Sequence, residues 1–177
     1  MKKFLGSIIF VIYVIIVITV TILLLSFNEY MCSEINGYTF YIVKDDMLEP
    51  DYVKGDLLII KHVSDSKVKL GDILYFYQNV SNNEFYVNYG EVTDITQEAS
   101  RIVYTIDEEY TYDSSYLIGK KEGSFIYHKI GSVLAVLESR WGYLFFVVII
   151  TLLLFLEELY ELYMEIKYGN EIRKWNY

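Results

Sequence analysis

The stretch VKDDMLEPDYVKGDLLII, residues 43–60, joins an extended run to a dense apolar one through an acidic turn. It carries the only proline of the chain, Pro50. The pyrrolidine ring fixes the φ of Pro50 and pushes Glu49 toward extended geometry, so residues 47–49 are expected to form a defined loop. Gly55-Asp56 is a tight-turn signal, and Leu57-Leu58-Ile59-Ile60 is short and apolar enough for a buried strand. A second unit of the same kind follows, Gly71-Asp72 and then Ile73-Leu74-Tyr75-Phe76-Tyr77. Two such turn-strand units in succession predict a small β domain.

Working outward, residues 38–43, 84–87 and 101–105 are rich in Tyr, Phe, Val and Ile, which suit a pleated surface. Residues 79–83, NVSNN, are expected as a polar turn between two strands. Asn79-Val80-Ser81 also fits a glycosylation sequon, which matters only in a eukaryotic secretory host. Between residues 29 and 140 no helical period of useful length stands out, and the two turn-strand units are the one internal repeat. The region reads as a single compact, mostly antiparallel β domain.

The composition is 54% hydrophobic, high for a soluble protein, and the excess is concentrated at the two ends. Residues 4–27 contain no charge and exceed the roughly 20 residues that cross a bilayer core. A cleaved signal peptide has a shorter apolar region and small residues at its end. This run ends instead in Asn28-Glu29-Tyr30, which favours an uncleaved anchor. Residues 141–156 form a second uncharged run. Beyond it Leu159, Tyr160, Leu162, Tyr163 and Ile166 alternate with Glu157, Glu158, Glu161 and Glu165 at helical spacing. This predicts a helix that leaves the bilayer near Glu157, with Trp141 and Tyr143 at the interface. A helix buried in a soluble domain is the alternative. Lys2 and Lys3 flank the first run, and Lys167, Arg173 and Lys174 follow the second, so both termini are expected in the cytoplasm. Lys129 and Arg140 count the other way. The resulting division is residues 1–28 as tail and anchor, 29–140 as an extracytoplasmic or lumenal β domain, and 141–177 as second transmembrane helix and amphipathic tail. The fold class is mainly β, a compact extracytoplasmic antiparallel domain flanked by two transmembrane helices.

A net charge of −9 argues against nucleic-acid binding, which needs basic patches. The single cysteine, Cys32, excludes an intrachain disulfide and a cysteine-based zinc site. With only His62 and His128, a multi-histidine metal site is not expected either. Asp45, Asp46, Glu49 and Asp51 cluster as a solvated turn or a calcium site, without EF-hand spacing. No metal or cofactor is assigned.

Residues 43–56 resemble the first signature box of type I signal peptidases, the membrane serine proteases that remove secretory signal peptides. The likeness is to the branch of the endoplasmic reticulum, archaea and some Gram-positive bacteria. The box V-x-S-G-S-M-E-P-x-x-x-x-G-D aligns without a gap on Glu49-Pro50 and Gly55-Asp56. Met47 then stands at the nucleophilic serine and Leu48 at the methionine. The V-H-R-V box is similar to Val87-Asn88-Tyr89, which sets Asn88 at the base. The T-K-G-D box is similar to Thr105-Ile106-Asp107-Glu108, which sets Glu108 at the first aspartate and Asp113 at the second. Leu117-Ile118-Gly119-Lys120 resembles the I-I-G-K strand, and Ile130-Gly131-Ser132-Val133 the segment before the second membrane helix.

The resemblance thus implies a peptide-binding loop at Met47, Leu48, Glu49 and Pro50, and catalytic positions of which only Asp113 is kept. A thioether has no proton to lose and an amide does not accept one near neutral pH, so hydrolysis is not expected from Met47 and Asn88. The implied partners are the bilayer and secretory or surface protein precursors, held as an added strand. Two other readings stay open. One is an active peptidase with a hydroxyl from elsewhere, although Ser33, Thr39 and Ser64 have no motif around them. The other is a membrane-anchored structural subunit. His62 reads as a surface histidine, and His128 has no paired Ser or Asp in any motif.

Overall fold

The computed structural model describes residues 2–46, 48–81, 84–98 and 101–174. Met47 lies outside the described residues. The chain divides into two compact units, Met1–Ala135 and Val136–Tyr177.

The first unit begins with the apolar helix α1 (Lys2–Leu25), of which Ile8–Leu25 is long and apolar enough to cross a membrane. Eight strands follow: β1 (Ser33–Ile35), β2 (Tyr38–Ile42), β3 (Leu57–His62), β4 (Ile73–Ser81), β5 (Glu84–Glu98), β6 (Arg101–Ile106), β7 (Tyr110–Asp113) and β8 (Leu117–Tyr127). They form one antiparallel sheet in the order β1-β2-β3-β8-β4-β5-β6-β7. The late strand β8 enters between β3 and β4, antiparallel to both. The two turn-strand units therefore flank β8, and each brings its Gly-Asp turn to the start of its strand.

Both faces of the sheet are packed. Along β4, Tyr75 and Tyr77 join one core with Tyr41, Leu48, Tyr52, Leu58, Ile60, Val87 and Ile118. Leu74 and Phe76 join a second core with Val68, Val92, Tyr104 and Ile106. Burial on both faces explains why Ile73-Leu74-Tyr75-Phe76-Tyr77 reads as a continuous apolar run and not an alternating one. The tyrosines in these cores need partners for their hydroxyls. The Tyr52 and Tyr75 hydroxyls bond each other. Tyr77 Oη accepts from Asn28 Nδ2 (2.8 Å) and donates to Glu34 Oε1 (3.1 Å), and Tyr104 Oη donates to Asp65 Oδ1 (2.8 Å). Burial pushes the Tyr75, Tyr77 and Tyr104 phenols upward, so all three stay neutral donors.

Two expectations are corrected. Residues 130–138 form a helix, α2 (Ile130–Glu138), inside the region expected to be a mainly β domain with no helical period of useful length. Its sequence IGSVLAVLE is apolar nearly all round, so no 3.6-residue pattern marks it. Residues 79–81 also continue β4, with Asn79 paired to Phe85 and Ser81 to Glu84, where a turn was expected from residue 79.

The second unit holds the end of α2 and a longer apolar helix. Helical turns run from α3 (Arg140–Gly142) through a π-helical stretch, Tyr143–Ile149, into α4 (Ile150–Lys174). The Ser139 side chain caps its start by accepting the Gly142 N–H at 3.0 Å. Arg140–Tyr168 is long and apolar enough to cross a membrane, twelve residues past the end expected at Leu156.

Candidate functional site

The loop between β2 and β3 is closed at its base by two backbone bonds, Val43 N–H to Asp56 O and Gly55 N–H to Val43 O, both 2.9 Å. Inside it, Tyr52 N–H donates to Leu48 O (3.1 Å) and Glu49 N–H to Asp46 O (3.2 Å). This winding drives Leu48 (1% exposed) and Tyr52 (0%) into the first core and turns Glu49 and Pro50 outward. The Glu49–Pro50 peptide bond is cis. Of the implied peptide-binding loop, two neighbouring residues are thus on the surface and one is an anchor.

Under this loop lies a cluster that the sequence does not announce. Lys121 Nζ donates to Asp51 Oδ2 at 2.6 Å. The same ammonium sits 5.6 Å from the ring centroid of Tyr52 and 5.3 Å from that of Tyr89, within cation–π range. Tyr52 and Tyr89 meet edge to face at 5.2 Å. Strand alternation would point Lys120, not Lys121, to the side of Ile118. A bulge reverses this: Phe76 pairs with Leu117 and Tyr75 with Gly119, so Ile118 is an extra residue and Lys121 is the lysine that reaches the loop.

The electrostatics of the cluster are locked. The hydrogen bond from Lys121 holds the Asp51 carboxyl below its usual range. The bond to Asp51 in turn raises Lys121, and burial together with the nearby Asp51 charge raises Tyr89. A general base must offer a free lone pair near the working pH. Lys121 is moved the other way and keeps its proton.

Among the described residues, the implied catalytic positions Asn88, Glu108 and Asp113 each make separate contacts. Asn88 pairs with Phe76, on the face of β4–β5 opposite Leu48 and Tyr52. Its Nδ2 donates to Gln78 Oε1 (2.8 Å), while the adjacent Tyr89 faces the loop. Glu108 lies in the β6–β7 turn at φ 61°, and its N–H donates to Thr93 Oγ1 (3.1 Å). Asp113 accepts the Ser115 N–H at 2.9 Å and faces Arg101 at 3.7 Å. That backbone bond lowers the Asp113 carboxyl. Its role there is to cap the short turn Ser114–Tyr116.

Both histidines have partners that sequence reasoning missed. Thr39 Oγ1 lies 2.7 Å from His62 Nε2, a hydroxyl–imidazole contact, but Thr39 is 0% exposed and closed to any substrate. His128 Nδ1 lies 3.0 Å from Oδ2 of the buried Asp56, a pairing across 72 residues that no local motif could signal. Comparison of the chain with family models, curated proteins and solved structures finds no match.

Proposed function

We propose that this chain is a membrane-anchored, signal-peptidase-like protein without hydrolytic activity, which binds extended segments of secretory or surface protein precursors. The observation that carries this reading is the state of Lys121. Below a loop whose signature position in the sequence is a methionine, Lys121 is an ammonium ion fixed by Asp51 and two tyrosine rings. Such a site holds shape and offers no activated nucleophile.

Binding has a place beside it. From Glu84 to Glu91, β5 pairs with β4, and its pairing with β6 begins only at Val92. Among the described residues the first half of β5 therefore has a strand on one side only. Tyr89 stands on that half and touches the loop through Tyr52. An extended peptide can add there by main-chain hydrogen bonds, with the loop reading its side chains. Both termini lie in the cytoplasm in this reading, with Lys2, Lys3 and Lys167 on the inner side, and the β domain lies outside or in the lumen.

The test uses the full-length protein in neutral liposomes with a secretory precursor and a fluorescent extended apolar peptide. The precursor is expected to stay intact. The peptide is expected to bind saturably and to lose binding when alternate backbone nitrogens are methylated. Cleavage would overturn the reading, and cleavage abolished by Thr39→Val would move the chemistry to the Thr39–His62 contact. Absence of binding, or binding indifferent to N-methylation, would defeat strand addition.

A further inference from the structure

On the second face of the sheet, away from the loop, β3 and β8 place Lys61 directly opposite Lys120. Like charges in a cross-strand pair are unfavourable. Lys120 is matched by a salt bridge to Asp72. Lys61 has no ion pair among the described residues, and neither has Lys67 on the one-turn helix Asp65–Lys67. All three lysines line one cleft of about 250 Å³, together with His62, Ser64 and a single carboxylate, Glu122. The chain as a whole carries 24 acidic side chains against 15 basic ones. Leaving two ammonium groups unneutralised around one cavity runs against that composition.

We propose that this cleft binds an oxyanion of the phosphate class. Lysines of β3, β8 and the one-turn helix and the hydroxyl-bearing Ser64 line it, a donor set that suits a tetrahedral oxyanion. No arginine is present to supply the planar fork that favours a carboxylate. The His62 ring is held in place by the Thr39 contact at Nε2, which leaves Nδ1 as its second polar atom. The rung Lys61–Lys120 is at the end of β3 opposite the rung Leu57–Tyr127, from which the chain continues into α2. The source proposed is a dissolved phosphate ester, and recruitment of phosphatidic acid vesicles tests the lipid headgroup.

The probe is inorganic phosphate, titrated by calorimetry into full-length protein in neutral phosphatidylcholine nanodiscs, with chloride at matched ionic strength as the blank. One saturable site is expected, weakened about tenfold or more in Lys61→Gln/Lys67→Gln, as the loss of charged hydrogen bonds requires. Lys44→Gln/Lys54→Gln removes the same charge outside the cleft and is expected to bind as the parent does. Unchanged near-ultraviolet circular dichroism shows that the variants are folded. No saturable binding, or equal loss in both double variants, overturns the site. Recruitment of phosphatidic acid vesicles that depends on Lys61 and Lys67 would keep the phosphate chemistry and overturn the dissolved source.

Discussion

In the turns Gly55-Asp56 and Gly71-Asp72 the glycine takes a positive φ, 90° and 82°. The aspartate N–H donates to the carbonyl three residues back, Val53 in one and Lys69 in the other, and Oδ2 accepts the N–H of that same residue. Each turn is also tied to an earlier or later part of the chain by the same pair of bonds, through Val43 just after β2 in the first and Val92 within β5 in the second. The surroundings differ. Asp56 is 2% exposed and accepts two further bonds, from Lys129 N–H (3.2 Å) and His128 Nδ1 (3.0 Å). Asp72 is partly exposed and has the Lys120 ammonium. One local device serves as a hub at the exit of β8 in the first case and as a plain turn with an ion pair in the second. Local sequence sets the turn, and tertiary contacts decide how much depends on it.

Removing the carboxylate should separate the two most. Asp56→Ala takes a buried acceptor from the part-buried N–H bonds of Val53 and Lys129 and from His128, at a cost of about 2–4 kcal/mol. Asp72→Ala leaves the already exposed Lys69 N–H to water and should cost about 1 kcal/mol. Urea unfolding of the full-length protein in detergent, followed by near-ultraviolet circular dichroism of the tyrosines, reads both. Equal losses would mean that burial does not distinguish the turns.

Acid should act on both. Burial raises Asp56, but the Val53 N–H, His128 and Lys129 N–H outweigh it, and the carboxyl ends below its usual range. Asp72 shows the same balance, with burial outweighed by Lys120 and the Lys69 N–H. A carboxyl lowered in the folded state stabilises above its unfolded value near 3.8 and loses that contribution as pH falls through the lower folded value. The urea midpoint should therefore drop below about pH 4. Asp56→Asn and Asp72→Asn should each flatten that drop, and a profile unchanged in both would refute the assignment.

The glycines come next. A Cβ at Gly55 would stand 2.0 Å from Ser132 Oγ, whereas at Gly71 the nearest atom is Glu91 Oε1 at 3.8 Å. Both substitutions force a left-handed conformation, at about 1–2 kcal/mol. Gly55→Ala adds the displacement of the serine hydroxyl, about 1 kcal/mol more. The excess should vanish in a Ser132→Ala background, because that removes the displaced atom. An excess that persists would place the difference in the backbone.

What could be read ahead of the structure follows the range of the forces involved. The apolar runs that became β2, β3, β4 and the two long helices are local signals of hydropathy and β-propensity. The continuation of α4 past Leu156 was legible from the helical spacing of its glutamates, whereas the π-helical stretch was not, because no local pattern marks it. The start of β8 was legible only through the resemblance of Leu117–Lys120 to the I-I-G-K strand, because Lys120-Lys121-Glu122-Gly123 interrupts its apolar run. At the candidate site, Leu48 and the Glu49–Pro50 loop were legible from proline geometry. Lys121 was not, because a single bulge at Ile118 decides which of two adjacent lysines faces the loop. Asn88 and Tyr89 pose the same problem, since one step along a strand exchanges faces.

The smallest difference lies in the partner side chains. His128 is 73% exposed at its ring while Asp56 behind it keeps two backbone donors, so His128→Gln should cost under about 1 kcal/mol. Lys120 and Asp72 are both more enclosed, at 16% and 21% side-chain exposure. Lys120→Met leaves Asp72 with the Lys69 N–H alone among its cited donors, and also relieves the like-charge rung with Lys61. The two effects oppose, so a net loss near 1 kcal/mol is expected at low salt, shrinking as added salt screens the Lys120–Asp72 attraction in the parent. If Lys120→Met cost less than His128→Gln, the ion pair would contribute nothing to the second turn. The contrast between the two turns would then rest on the burial of Asp56 and its two backbone donors alone.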